Sequence, residues 1–203
     1  MIDALLAATC RMLTGPTVEW RCDPTADTQR IYFANHSSHL DLVVIWSALP
    51  REIRRRTRPV AGRDYWNSGV VRRYLAGRVF RAILINRSDP SGRSVSGAQD
   101  SVGAIAGAMG DRISVIVFPE GTRSTTGEIG PFKSGLYHLA RLRPKVELIP
   151  VYLDNLNRIL PKGEWVPVPM LSRVVFGPRL QLDGLEKHEF LDAARAAMGA
   201  LRA

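Results

Sequence analysis

Short apolar runs alternate with helix-spaced stretches along almost the whole chain, and that alternation limits the folds open to it. The strongest run, residues 113–118, is continuous and rich in β-branched side chains, the pattern of a strand covered on both faces. Weaker strand signals stand at 17–22, 30–34, 59–62, 82–86, 146–153 and 174–176. Helical spacing predicts helices over 40–49, stopped at Pro50, and over 65–80, with arginines on its outer face. Further helices are predicted over 95–109, with small Ala and Gly residues facing the core, and over 134–142 and 186–201. Asp89-Pro90-Ser91-Gly92 reads as a loop, and 155–169 as Pro-rich and irregular. Strands alternating with helices argue an α/β fold: a single domain over 1–203, with a mostly parallel central sheet flanked by helices. Ile2, Leu5, Leu6, Met12 and Leu13 form a helical stripe ended by Gly15-Pro16. This amphipathic N-terminal helix (1–15) is expected to pack on the core or to touch a membrane. No run reaches the ~18 apolar residues of a spanning helix, and the first residues lack a secretory pattern.

The charge is lopsided. The 203 residues carry 28 Lys+Arg against 19 Asp+Glu, a formal +9. Between 51 and 87 stand eleven arginines and two acids, Glu52 and Asp64, so this window holds the whole excess. Such a patch suits a phosphate-bearing partner: a nucleic acid, an anionic bilayer or a charged small molecule. The nucleic-acid reading lacks a recognition motif and the interleaved aromatics of a stacking platform. Cys10 and Cys22 make no disulfide framework, which fits a reducing compartment. They lie outside every motif and read as small packing residues.

Two constellations carry chemistry. Asn35-His36-Ser37-Ser38-His39-Leu40-Asp41 follows a strand and opens a helix. Five steps of ~100° set His36 and Asp41 too far apart to share a helix face. They meet if His36 sits in the turn and Asp41 in the first helical turn. An Asp accepting from Nδ1–H then leaves Nε2 as a base. The plainer readings are a Ser38 N-cap with Asp41 completing a capping-box pattern, or His36 and His39 as surface residues or a metal-ligand pair. Backbone N–H groups after Asn35 are candidate oxyanion donors. The second constellation, Phe118-Pro119-Glu120-Gly121-Thr122-Arg123-Ser124, ends the strongest strand, where sites form in open α/β sheets. Gly121 permits a tight turn. Arg123 is placed to grip phosphate, with Thr122 and Ser124 as further donors. Glu120 organises the arginines or binds a hydroxyl.

NHSSHLD and FPEGTRS, with their separation, resemble the glycerolipid acyltransferases, specifically the bacterial 1-acyl-sn-glycerol-3-phosphate acyltransferases. Arg81-Ala82-Ile83-Leu84-Ile85-Asn86-Arg87 resembles that family's second block, and Val146-Glu147-Leu148-Ile149-Pro150-Val151 its fourth. Phe132-Lys133-Ser134-Gly135 matches a common element after the third. The four blocks run in the family's order. Two positions depart from it: Arg81 stands where a Gly is usual, with a possible effect on the acceptor site, and Glu147 where a Pro is common.

The resemblance implies a glycerol-3-phosphate acyltransferase-like fold, with His36 as general base and Asp41 as its orienter. Arg87 and Arg123 would hold the acceptor phosphate, with Glu120, Gly121, Thr122 and Lys133 completing the acceptor site. The implied reaction moves a fatty acyl group from acyl-CoA or acyl-ACP to the 2-hydroxyl of 1-acyl-sn-glycerol-3-phosphate, giving phosphatidic acid. No cofactor and no metal are expected, since a thioester is already activated. No G-x-S-x-G elbow is present either. The expected partners are the lysophospholipid acceptor, the acyl carrier and an anionic membrane surface, with no nucleic acid. The expected location is cytoplasmic, peripheral on the inner face of the cell membrane. Residues 46–58 and Tyr65-Trp66 offer basic and aromatic neighbours for that contact. The alternatives are an acyltransferase for another lysolipid, such as a lyso-ornithine lipid, and a catalytically silent lipid-binding protein.

Overall fold

A computed structural model describes residues 2–66, 68–86, 95–159 and 171–202. In chain order the elements are α1 (Ile2–Thr14), β1 (Thr17–Trp20), β2 (Arg30–Ala34), α2 (Asp41–Ala48), α3 (Arg51–Arg55), β3 (Thr57–Gly62), α4 (Arg63–Trp66) and α5 (Val70–Tyr74). A π-helical turn (Leu75–Val79) continues α5. Next come β4 (Ile83–Ile85), α6 (Val95–Met109), β5 (Ser114–Val117), α7 (Gly135–Leu142) and β6 (Glu147–Asp154). The last are α8 (Leu156–Ile159), β7 (Arg173–Phe176), α9 (Lys187–Gly199) and a closing 3-10 turn (Ala200–Arg202).

The strands form one seven-stranded sheet in the order β1-β7-β6-β2-β5-β3-β4. From β6 to β4 the five strands are parallel, and β7 pairs antiparallel with β6. The carboxyl ends of β2, β3, β4 and β5 therefore share one edge. Successive residues of the central strands feed opposite faces. Tyr32, Ile116, Ile149, Val151 and Phe176 pack on one side with Ala7 of α1 and with α2. Ile31, Phe33, Val115, Leu148 and Val175 pack on the other with α6, α7 and α9. Each fully buried side chain of this kind stabilises the fold by about 1.5–3 kcal/mol.

Several expectations are corrected. The helix expected over 65–80 is broken. Gly69 takes φ +105°, a conformation only glycine adopts readily, and α5 restarts after it. Pro50 ends α2 and also starts α3, because a fixed φ suits a helix entry. On α6 the core face is Val102, Ile105 and Met109, whereas Gly103, Ala104, Gly107 and Ala108 are exposed. In the stretch 46–58 the expected aromatic neighbour faces inward, while Arg51 and Arg55 are exposed. Trp46, Leu49, Ile53 and Arg54 are buried, and the Arg54 guanidinium lies 4.9 Å from the Trp46 ring centre. Part of 155–169 is helical, as α8; residues 160–170 and the loop at Asp89–Gly92 lie outside the described residues.

The two unusual positions have local explanations. Glu147 pairs with the buried Arg30 at 2.9 Å and accepts from Thr28 at 2.9 Å. Arg81 is exposed at φ +50°, so the turn before β4 needs a left-handed residue. The departure there costs backbone strain. Arg81→Gly relieves about 1–2 kcal/mol of strain, less about 0.5–1 kcal/mol of glycine entropy. Urea denaturation is expected to show a net gain of about 0–1.5 kcal/mol; a lower midpoint would contradict this account.

Candidate active site

The site begins where β2 runs out. Asn35 is buried and exchanges two bonds with the backbone of Leu153: its amide donates to the carbonyl at 2.9 Å, and its Oδ1 accepts from the N–H at 2.8 Å. The side chain thus extends the ladder to β6 by one rung while the main chain turns away, which sets the starting point of His36.

The turn is held by two buried carboxylates. Asp41, wholly buried, accepts three donors at Oδ2: the His36 Nδ1–H at 2.7 Å, the Ser37 N–H at 2.7 Å and the Ser38 N–H at 2.9 Å. Its Oδ1 is buried without a hydrogen-bond partner. The expected His36–Asp41 pair is formed, and its geometry assigns the Nδ1–H tautomer. The carboxylate also does half of a capping box, because it takes the Ser38 N–H, while α2 itself starts after Leu40 with no side-chain cap. Glu120 holds the turn from the other side. Its Oε1 accepts the His36 N–H at 2.8 Å and its Oε2 the Gly130 N–H at 3.0 Å. Burial pushes its carboxyl up, and the two amides partly offset that. Glu120 therefore positions the turn, with each of its oxygens holding one backbone amide. Of the expected oxyanion donors, the amides of His36, Ser37 and Ser38 are committed to these carboxylates.

Phe118 stacks on the His36 ring, with centroids 4.2 Å apart, and Ser124 N–H donates to the His36 carbonyl at 2.7 Å. The two constellations are thus one structure. Gly121 takes φ +70°, and a Cβ there would lie 2.8 Å from Lys133 Nζ, so the lysine crosses directly over the turn. Glu120, Thr122, Arg123 and Lys133 line an open cleft of about 540 Å³. Arg87 lies outside the described residues.

His39 was read as a surface residue or metal ligand, and the structure gives it another place. Its Nδ1 meets Tyr65 Oη at 2.9 Å and its Nε2 faces the Arg123 guanidinium. Arg72 stacks on the Tyr65 ring at 4.4 Å. Tyr65 and Arg72 come from α4 and α5, and no spacing in the sequence links them to His39. Both cysteines are free, and burial raises their thiols, as packing residues require.

A family model described as Acyltransferase matches residues 21–154. Curated relatives include the 1-acyl-sn-glycerol-3-phosphate acyltransferase of Cocos nucifera, 31% identical over 64% of this chain and 39% of that protein. The Limnanthes alba protein of the same name is 28% identical over 84% and 57%. The alpha form from Mus musculus is 32% identical over 66% and 43%. The chain thus spans between about two fifths and just over half the length of these relatives. The crystal structure of the 1-acyl-sn-glycerophosphate (LPA) acyltransferase PlsC from Thermotoga maritima aligns with TM-score 0.70 at 19% identity, over all of this chain and 79% of that one. The chain belongs to the acyltransferase family.

The His39 ring sits among charges from every side: Arg123, Arg72 and His36 disfavour its protonation, Asp41 favours it, and burial is the largest influence. Its pKa is lowered from the ordinary 6.5. The unfolded chain then binds the proton more readily, so the stabilising contribution is present above about 6.5 and lost as pH falls through the folded value. Ring-nitrogen NMR is expected to give a His39 midpoint below 6.5, and His39→Gln is expected to flatten the acid side of the stability profile. A midpoint at or above 6.5 would contradict the assignment.

Proposed function

We propose that this member of the acyltransferase family moves a fatty acyl group from an acyl thioester to the free hydroxyl of 1-acyl-sn-glycerol-3-phosphate. The observation that carries the reading is the 2.7 Å contact between His36 Nδ1 and Asp41 Oδ2. It fixes the tautomer and leaves Nε2 as a base, in a ring 19% exposed. The acceptor hydroxyl gives its proton to Nε2 as its oxygen bonds to the thioester carbonyl carbon. The tetrahedral intermediate then collapses, the carbon–sulfur bond breaks, and the departing thiolate takes the proton back. Asp41 stabilises the imidazolium between the two steps. The thioester brings its own activation, so the reading calls for no resident cofactor.

The printed names of the relatives supply the acceptor in this proposal, and the cleft supports it. Arg123 and Lys133 face the same opening, where two cations suit a phosphomonoester. Gly121 lets the backbone approach it, and the Thr122 hydroxyl adds a donor. Substrate and product are lipids, so the reading includes contact with a bilayer face. No helix among the described residues is long and apolar enough to cross one.

Two variants test the roles on a labelled acyl thioester with a panel of lysolipids, products identified by mass spectrometry. His36→Ala is expected to lower kcat by about 10²–10⁴-fold with the fold intact by circular dichroism; retained activity would end this mechanism. Arg123→Ala is expected to raise KM for the phosphorylated acceptor at least about tenfold and to leave KM for the thioester near its original value. An equal rise in both would make Arg123 structural. Transfer to a phosphate-free lysolipid instead would move the reading to a sister acyltransferase.

A further inference from the structure

At the entrance to α5 the chain exposes what a folded core would normally bury. Val70 is 74% exposed, Val71 71% and Tyr74 45%. At ~100° per residue these three fall within an arc of about 100°, so they make one ridge. Arginines are dense in the same segment. From 63 to 81 the chain carries Arg63, Arg72, Arg73, Arg78 and Arg81 against a single acid, Asp64. All but Arg72 are exposed. An apolar ridge with a tyrosine, in a segment of five arginines and one acid, matches the chemistry of a membrane interface: acyl chains for the ridge, anionic headgroups for the arginines.

We propose that the Val70, Val71 and Tyr74 ridge is a docking surface for an anionic lipid bilayer. It rests on the lipid-acceptor reading for its purpose, and on these exposed side chains for its chemistry. The apolar centre favours a bilayer over an acidic carrier protein, which the arginines alone would serve. The ridge is also tied to the site. Arg72, on the same turn of helix, lies back over Tyr65 and bonds Ser68 at 2.8 Å. Tyr65 meets His39, and His39 meets Arg123. One short chain of contacts therefore leads from the bilayer surface to a cation lining the cleft. An acceptor lipid leaving the membrane beside α5 would meet Arg72 at one end of this path and Arg123 at the other. The stretch 46–58 exposes Arg51 and Arg55 but buries Trp46, Leu49 and Ile53, so it carries no comparable apolar ridge.

The test is cosedimentation with vesicles of phosphatidylcholine alone and of phosphatidylcholine mixed with phosphatidylglycerol. The unaltered protein is expected to bind the mixed vesicles and not the neutral ones. The double variant Val70→Ser, Val71→Ser is expected to bind mixed vesicles about tenfold less tightly, and Val70→Trp more tightly. Turnover of a short-chain lysophosphatidate below its micelle concentration, with coenzyme A thioester as donor, is expected to stay within about twofold in both. Vesicle binding unchanged by the serines, a loss of turnover in parallel with it, or a defect confined to KM for an acyl carrier protein would each overturn the proposal. Binding is read without acyl transfer, so an unaltered protein that binds vesicles and turns over no lysolipid counts against the enzymatic reading alone.

Discussion

One oxygen atom organises the site. Asp41 Oδ2, sealed from solvent, gathers an imidazole N–H and two consecutive backbone amides within 2.9 Å. Hydrogen bonds to a charged acceptor are worth about 1.5–3 kcal/mol each, and here they converge on the first residue of α2. The same carboxylate thus shapes the turn, opens the helix and aims the histidine. The imidazole is held by the fold itself and needs no substrate to orient it.

Glu120 binds this turn to the second constellation. One of its oxygens reaches back to the His36 amide and the other forward to Gly130. Gly130 has room for this only because it lacks a Cβ, which would stand 2.9 Å from Oε2. The family resemblance implies an acceptor-site role for this carboxylate, and it does line the cleft. Burial and two backbone partners make it a brace, and the half-buried Arg123 and the exposed Lys133 line the cleft beside it. The parallel register of β2 with β5 is what allows the brace, since both strands end at the same edge.

Much of this was legible from residue order. Continuous apolar runs identified the central strands, because a strand buried on both faces has no polar positions to mark its alternation. The five-residue spacing of His36 and Asp41 identified a turn-to-helix pair, because no regular helix lets them touch. The Arg-rich window was less legible. Its excess charge reads as one patch, yet Arg54 is buried over Trp46, Arg56 pairs with Asp27, and Arg72 lies on Tyr65. Linear charge density says nothing about which face of each short helix turns inward.

What residue order determined is local: strand or helix, the turn chemistry at Gly121, and the reach of an aspartate five residues away. Those depend on backbone sterics and on groups only a few bonds apart. Tertiary structure alone decided that Asn35 locks to Leu153, that Glu120 is a brace, that His39 belongs with Tyr65 and Arg123, and that Val70 and Val71 stay uncovered. Each of these joins or parts side chains whose distance is set by how strands stack and helices pack. That choice is made by burying the whole apolar surface at once, and no short window of sequence contains it.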